Sequence, residues 1–173
     1  FLTSIEKRAF SKCSSLTQIT IPSSVASIGE ATFCDCSSLK KVIFEMPSFL
    51  TSIEKRAFSK CSSLTHITIP SSVTSIGYNT FEGCSSLTQI SIPSFVTEIG
   101  NYAFEGCSSL TQITFEMPSS LTSIERSAFC ECSSLAQIII PSSVSSIGNY
   151  AFSRCSSLTQ ISIPSSVTEI GFS

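Results

Sequence analysis

Apolar residues recur along this chain in one fixed order, separated by serine, threonine and glutamine. In LTQITI, residues 16–21, Leu16, Ile19 and Ile21 are apolar while Gln18 and Thr20 alternate with them, the period-two pattern of a half-buried strand. Pro22 then removes a backbone donor and predicts the end of that strand, and Ser23 and Ser24 favour a turn. Val25 and Ile28 point back inward, as a short second strand would place them. Residues 29–36 carry Ala31, Phe33 and Cys36 at spacings suited to one helical turn.

The same order returns throughout. CSSL begins at Cys13, Cys36, Cys61, Cys84, Cys107, Cys132 and Cys155, at intervals of 23, 25, 23, 23, 25 and 23 residues, so seven coils are numbered here from those cysteines. Coils 2 and 5 are the long ones, because FEMPSFL at 44–50 and FEMPSSL at 115–121 replace a shorter IPSSV. Glu54 and Glu125 stand where other coils have Gly77, Gly100 or Gly148, so that place does not require a glycine-only conformation. A coil of this size cannot bury its apolar side alone. Stacking puts Leu on Leu, Ile on Ile and Phe on Phe, and stability resides between coils. Strands stacked at about 4.8 Å over seven coils predict a parallel sheet roughly 30 Å long.

Residues 1–173 read as a single array. It opens and closes inside a repeat, which predicts a piece of a longer chain without its caps; Glu6 predicts a long coil before residue 1. No basic start followed by an apolar stretch reads as a signal peptide, and no apolar run reaches the roughly 18 residues of a membrane helix. Ten basic residues against twelve acidic ones give no strong field and argue against nucleic acid as a partner. With charged residues at only 13%, few repulsive guards protect the edges, and end-to-end self-association is an expectation.

The strand segment LTQITI resembles the opening LxxLxL of leucine-rich repeats, and the unit with IP, IG, AF and CSSL resembles the BspA-like class over the whole chain. The wording SSVTSIG and CSSLTQI is similar to protist, trichomonad members. Ser24 and its equivalents stand where the commonest leucine-rich repeat has asparagine, so the turn must be satisfied differently. The resemblance implies an α/β leucine-rich-repeat solenoid, mainly β and right-handed, with one parallel strand per coil in a concave or flat sheet and short second strands or helical turns opposite. It also implies a surface or secreted protein that adheres to host cells or extracellular matrix.

Candidate chemistry adds little. Seven of nine cysteines occupy one repeated apolar place, which reads as a ladder of reduced, packed thiols, although neighbouring coils approach the separation at which a disulfide can close. Cys34 and Cys130, in CDC and CEC, are expected to reach solvent. One histidine and no paired CxxC argue against a metal, and scattered glycines against a nucleotide loop, so no cofactor is expected. His66 replaces a recurring Gln on the outward side of its strand and has no distinctive nucleophile or acid beside it in sequence, so no enzyme is expected.

The best candidate for a site is the outward strand face. Gln18, Lys41, His66, Gln89, Gln112, Gln137 and Gln160 form one file; Thr20, Ile43, Thr68, Ser91, Thr114, Ile139 and Ser162 form the next. Lys40 and Lys41 make a basic spot, and Ile43 and Ile139 interrupt the polar platform. The expected function is a protein-interaction module whose partner is a protein or glycan-bearing host or matrix macromolecule. The alternative is a structural spacer with no ligand, since the outward files are largely uniform; they also solvate a β surface without recognising anything.

Overall fold

The computed structural model describes residues 1–172. Its strands, in chain order, are β1 (Ser4–Ile5), β2 (Gln18–Ile21), β3 (Ser27–Ile28), β4 (Lys41–Phe44), β5 (Ser52–Ile53), β6 (Ser75–Ile76), β7 (Gln89–Ile92), β8 (Glu98–Ile99), β9 (Gln112–Phe115), β10 (Ser123–Ile124), β11 (Gln137–Ile139), β12 (Ser146–Ile147), β13 (Gln160–Ser162) and β14 (Glu169–Ile170). All pairings are parallel and in register, coil upon coil, as expected of a solenoid.

The short second strands carry the continuous sheet. Eight of them stack in the order β1-β3-β5-β6-β8-β10-β12-β14. Each supplies one isoleucine, and Ile28, Ile53, Ile76, Ile99, Ile124 and Ile147 are all buried. Beside this back sheet a hydroxyl ladder runs up the stack. Thr51 Oγ1 donates to the Ala26 carbonyl at 3.2 Å, and Thr74, Thr97, Thr122, Ser145 and Thr168 each donate to the same carbonyl position one coil earlier. This ladder, with Ser24 Oγ donating to Leu2 O at 2.7 Å and Ser72 Oγ to Leu50 O at 2.6 Å, replaces the asparagine ladder missing from the sequence.

The longer front strands do not form one sheet. They pair as β2-β4, β7-β9 and β11-β13 only, with His66 bridged to Gln89. The platform expected from the period-two pattern is therefore three short pieces.

The segment expected to make a helical turn makes none, and no helix occurs among the described residues. Coils 1 to 6 instead each take two turns through left-handed residues, such as Ala31 (φ 53) and Asp35 (φ 61) in coil 1 or Ser127 (φ 53) and Glu131 (φ 62) in coil 5. Only Gly83 and Gly106 meet that requirement with glycine. The turns close on themselves, as Cys36 N donates to Phe33 O, and onto the next coil, as Phe33 N donates to Ala57 O. Spacings of two and three between apolar residues suit such turns as well as a helix.

These turns aim phenylalanines into the core. Phe10, Phe33, Phe58, Phe81, Phe104, Phe129 and Phe152 stack with ring centroids 5.3–5.6 Å apart and planes within 4–10°. That spacing makes them offset stacks, a favourable aromatic geometry.

The glycine that opens the turn is needed for close approach in some coils. A Cβ on Gly148 would lie 2.5 Å from Arg126 N, whereas one on Gly77 would be 3.3 Å from its nearest atom, Lys55 N. Gly148→Ala is therefore expected to destabilise the array by about 1–3 kcal/mol, as overpacking against backbone does, and Gly77→Ala by distinctly less. Urea unfolding midpoints of the two variants check this; equal midpoints would refute it.

Candidate partner-binding face

In-register pairing lays equivalent residues of the front strands side by side: Gln18 by Lys41, Gln89 by Gln112, Gln137 by Gln160. Lys40 and the whole expected face are exposed, with one exception. Ile43 is half-buried, in the wall of a cleft it shares with Met46, whereas Ile139 is 74% exposed. The two isoleucines thus differ, and only Ile139 projects freely from the face.

The front ladder parts in two places. At other junctions the chain just before the strand donates to the coil below: Lys40 N to Thr17 O at 2.8 Å, Thr88 N to Thr65 O at 3.1 Å, Thr111 N to Thr88 O at 2.9 Å and Thr159 N to Ala136 O at 2.9 Å. Among the described residues the matching bonds from Thr65 to Lys40 and from Ala136 to Thr111 are not made, and β4 and β9 pair only with the coil below them. Both breaks lie immediately above a long coil. The back strands stay paired across both junctions, so only the front opens there, while in front the same long coils remain paired with the 23-residue coils below them.

Each break holds a cleft. The one between coils 5 and 6 has a volume of about 710 Å³ and lies among Thr114, Phe115, Met117, Gln137, Ile139 and Pro141. Its counterpart between coils 2 and 3, about 400 Å³, lies among Ile43, Phe44, Met46, His66, Thr68 and Pro70, with Lys41 and Glu116 also on its walls. The two correspond residue for residue at an offset of 71: Lys41 with Gln112, Phe44 with Phe115, Met46 with Met117, His66 with Gln137 and Thr68 with Ile139. Met46 and Met117 are mostly exposed at the rims. Sequence reasoning passed over Met46, Met117, Phe44 and Phe115; the FEMP inserts were their signal.

Elsewhere the chemistry is quiet. His66 Nδ1 lies 3.1 Å from Thr65 Oγ1, its own neighbour. No group of three or more His, Cys, Asp and Glu residues gathers as metal ligands among the described residues. Cys34, expected at the surface, is only 8% exposed, because the left-handed turn at Asp35 tucks it between coils, and its thiol points at Asp35. Cys130 is half-buried. Burial, reinforced by adjacent carboxylates, raises both thiols above their ordinary value, which lowers the thiolate fraction and with it their reactivity.

The ladder cysteines are free thiols here, buried from Cys36 to Cys155, with Cys13 exposed. Each buried one donates to the carbonyl of a phenylalanine one coil down, for example Cys84 Sγ to Phe58 O at 3.2 Å and Cys107 Sγ to Phe81 O at 3.2 Å. Burial pushes Cys84 up to about 12 and Cys36 and Cys155 to about 11, and it raises Cys61, Cys107 and Cys132 well above the ordinary thiol value.

Comparison with known families agrees with this architecture. A family model described as BspA type Leucine rich repeat region, in six copies, matches residues 3–116 and 80–173. The chain belongs to the BspA-type leucine-rich-repeat family. Solved structures of such arrays are similar along nearly the whole chain. A leucine-rich-repeat protein of Bacteroides ovatus is 35% identical with a TM-score of 0.90, covering 98% of this chain and 43% of its own. A leucine rich cell surface protein of Faecalibacterium prausnitzii is 39% identical with a TM-score of 0.82, covering 92% and 42%, and a T. pallidum leucine-rich-repeat protein is 31% identical with a TM-score of 0.81, covering 91% and 72%. This BspA-type array thus spans about two fifths of the length of the first two. No curated protein matches it. No described helix is long and apolar enough to cross a membrane.

Proposed function

We propose that this BspA-type array is the interaction module of a surface or secreted protein, adhering to a host-cell or matrix protein or glycoprotein through its front face. The observation that carries the reading is the exposed file from Gln18 to Gln160, which presents one polar side chain per coil over seven coils without an intervening ion pair. Such a file suits many weak contacts summed by avidity, which grows with the length of the parent array. Membership in a repeat family used for protein interaction and likeness to a leucine rich cell surface protein support it. A protist origin, read from the wording of the repeats, belongs to the same proposal.

Changing Gln89, Gln112 and Gln137 together to Glu keeps size and solubility while charging the centre of the face. Retention of the variant on a surface coated with extracellular-matrix extract is expected to fall at least tenfold, measured by surface plasmon resonance. Equal retention would move the site off this face. The uniformity of the Gln file favours a second reading, a spacer that holds other domains apart; it predicts that the unmodified array shows no retention at all.

A further inference from the structure

The left-handed turns form a flank between the two sheets, and its charge is uneven. Residues 1–60 hold eight basic residues against five acidic ones, whereas residues 61–173 hold two against seven. EKRAFSK stands at 6–12 and again at 54–60, and between the two the turn of coil 1 reads GEATFCD. Across these three turns six cations meet four carboxylates, Glu6, Glu30, Asp35 and Glu54. Backbone bonds from Arg8 to Glu30, Ala31 to Lys55, Lys12 to Cys34 and Asp35 to Ser59 hold the turns in register. Three files result: Lys7, Glu30 and Lys55; Arg8, Ala31 and Arg56; Lys12, Asp35 and Lys60. The first neutralises itself, since Glu30 lies 2.9 Å from Lys7 Nζ and 3.5 Å from Lys55 Nζ, and Lys7 above all holds its carboxyl below the ordinary value. The second does not. Among the described residues neither Arg8 nor Arg56 makes an ion pair. Both have the same backbone, φ 58 and φ 60, so they project alike, roughly 10 Å apart at two strand spacings. The small Ala31 between them leaves a notch of about 410 Å³, with Lys12 and Asp35 also on its walls. Asp35 has no cation within ion-pair reach, and its one side-chain partner is the Cys34 thiol, 3.4 Å away.

We propose that this notch binds a sulfated polysaccharide, with one sulfate held between Arg8 and Arg56 and a hydroxyl of the same sugar unit donating to Asp35. A guanidinium grips an oxyanion through two parallel N–H donors, and here two guanidiniums stand uncommitted on either side of one gap. Further sulfates along the chain meet Lys12 on the notch wall and Lys60 beside it. The mixture of signs selects the class of partner. A sulfated sugar brings anions and hydroxyl donors together, so it satisfies the arginines and the unpaired carboxylate at once. A DNA backbone brings acceptors only, and Asp35 repels it. No exposed apolar or aromatic side chain lines the notch to receive a lipid chain or stack a base. The site lies on the flank, away from the front strands, and does not depend on the glutamine file.

The test passes the array over immobilised heparin, read by surface plasmon resonance. The parent is expected to bind, and Arg8→Gln with Arg56→Gln to weaken it by about tenfold or more, as two charge-assisted grips are lost. Arg126→Gln with Arg154→Gln removes equal charge from the far end of the same flank and is expected to change binding by no more than about twofold, since that end lies beyond the screening length. Ala31→Gln fills the notch at unchanged charge and is expected to weaken binding as well. The turn already carries long side chains at this place, in Arg8 and Arg56, so all these variants are expected to keep the parent's circular dichroism and melting point. As competitors, heparin stripped of its sulfates and single-stranded DNA of equal charge are expected to fall short of heparin by about tenfold or more. No binding by the parent, or unchanged binding by the Arg8/Arg56 or Ala31 variant, would overturn the proposal. Equal loss in the two arginine pairs would reduce it to bulk charge, and equal competition by DNA would make the surface one for nucleic acid; either outcome overturns it. The front-face Gln-to-Glu variant is expected to keep its heparin binding. Its loss would put the glycan on the front face and sink the notch, while matrix retention that fails only in that variant leaves the two sites independent.

Discussion

Between pH 9 and about pH 12 the array is expected to unfold, and the cysteine ladder is the cause. A thiol's ordinary value is 9.0; in the fold Cys84 lies at about 12, with Cys61, Cys107 and Cys132 also held up by burial. A group whose folded value is raised contributes its full stability below the unfolded value and loses it as pH climbs toward the folded one. Above pH 9 the unfolded chain releases protons that the folded ladder keeps. Each pH unit then costs up to about 1.4 kcal/mol per buried thiol, or roughly 5 kcal/mol per unit for the four together. Against a total stability of about 5–15 kcal/mol, about one to three units suffice. Thermal melts in the presence of a reductant at pH 8, 9, 10 and 11 measure it. The double variant Cys84→Ala with Cys107→Ala is expected to melt lower at pH 8 but to fall less steeply above pH 9. A midpoint that stays level to pH 10.5 would mean the thiols titrate freely and the ladder is looser than described.

Truncating one ring in the middle of the stack has the other large effect. Phe104 is fully buried and stacks on Phe81 below and Phe129 above at 5.3 Å. Phe104→Ala is expected to cost about 3–5 kcal/mol, the range for a phenylalanine lost from a packed core, because the neighbouring rings belong to stacked coils and cannot collapse into the space. Phe104→Leu, which keeps most of the volume but breaks the stack, is expected to cost about a third as much. Urea denaturation gives both numbers. A Phe104→Ala variant within 1 kcal/mol of the parent would mean that the coils slide to refill the hole.

Much of this was written in the repeat itself. Leu39, Leu64, Phe58 and Cys61 return at fixed intervals, and a residue that recurs at a fixed interval in a solenoid must meet its own kind, so core, coil count and parallel stacking followed from spacing. The turn segment was harder because Lys12, Lys60 and Glu131 give no hint of the left-handed backbone they adopt; Gly83 and Gly106, at the same place in coils 3 and 4, and Asp35 in coil 1 were the clues. Cys34 misled for a related reason, since a polar-looking CDC sits where the turn folds inward. The breaks in the front ladder were invisible to pattern: residues 66–69 keep the alternation of a paired strand, and the run Ile138–Ile140, which departs from it, lies in β11, which is itself paired with β13. Coil length does not mark them either, since long coils 2 and 5 pair in front with the 23-residue coils 1 and 4 below them and part only from the coils above.

A back sheet that never breaks and a front ladder that breaks twice make the array mechanically uneven. Coils 1–2, 3–5 and 6–7 are each laced on both sides, while the junctions between them are laced on one. Bending stiffness across a junction depends on having material on both sides of the bend, so an applied load concentrates its deflection at the two one-sided seams, with the back sheet as the hinge pin. Pulled or pressed, such an array would behave as three stiff blocks on a common spine, and its curvature would be set by how far each seam is open.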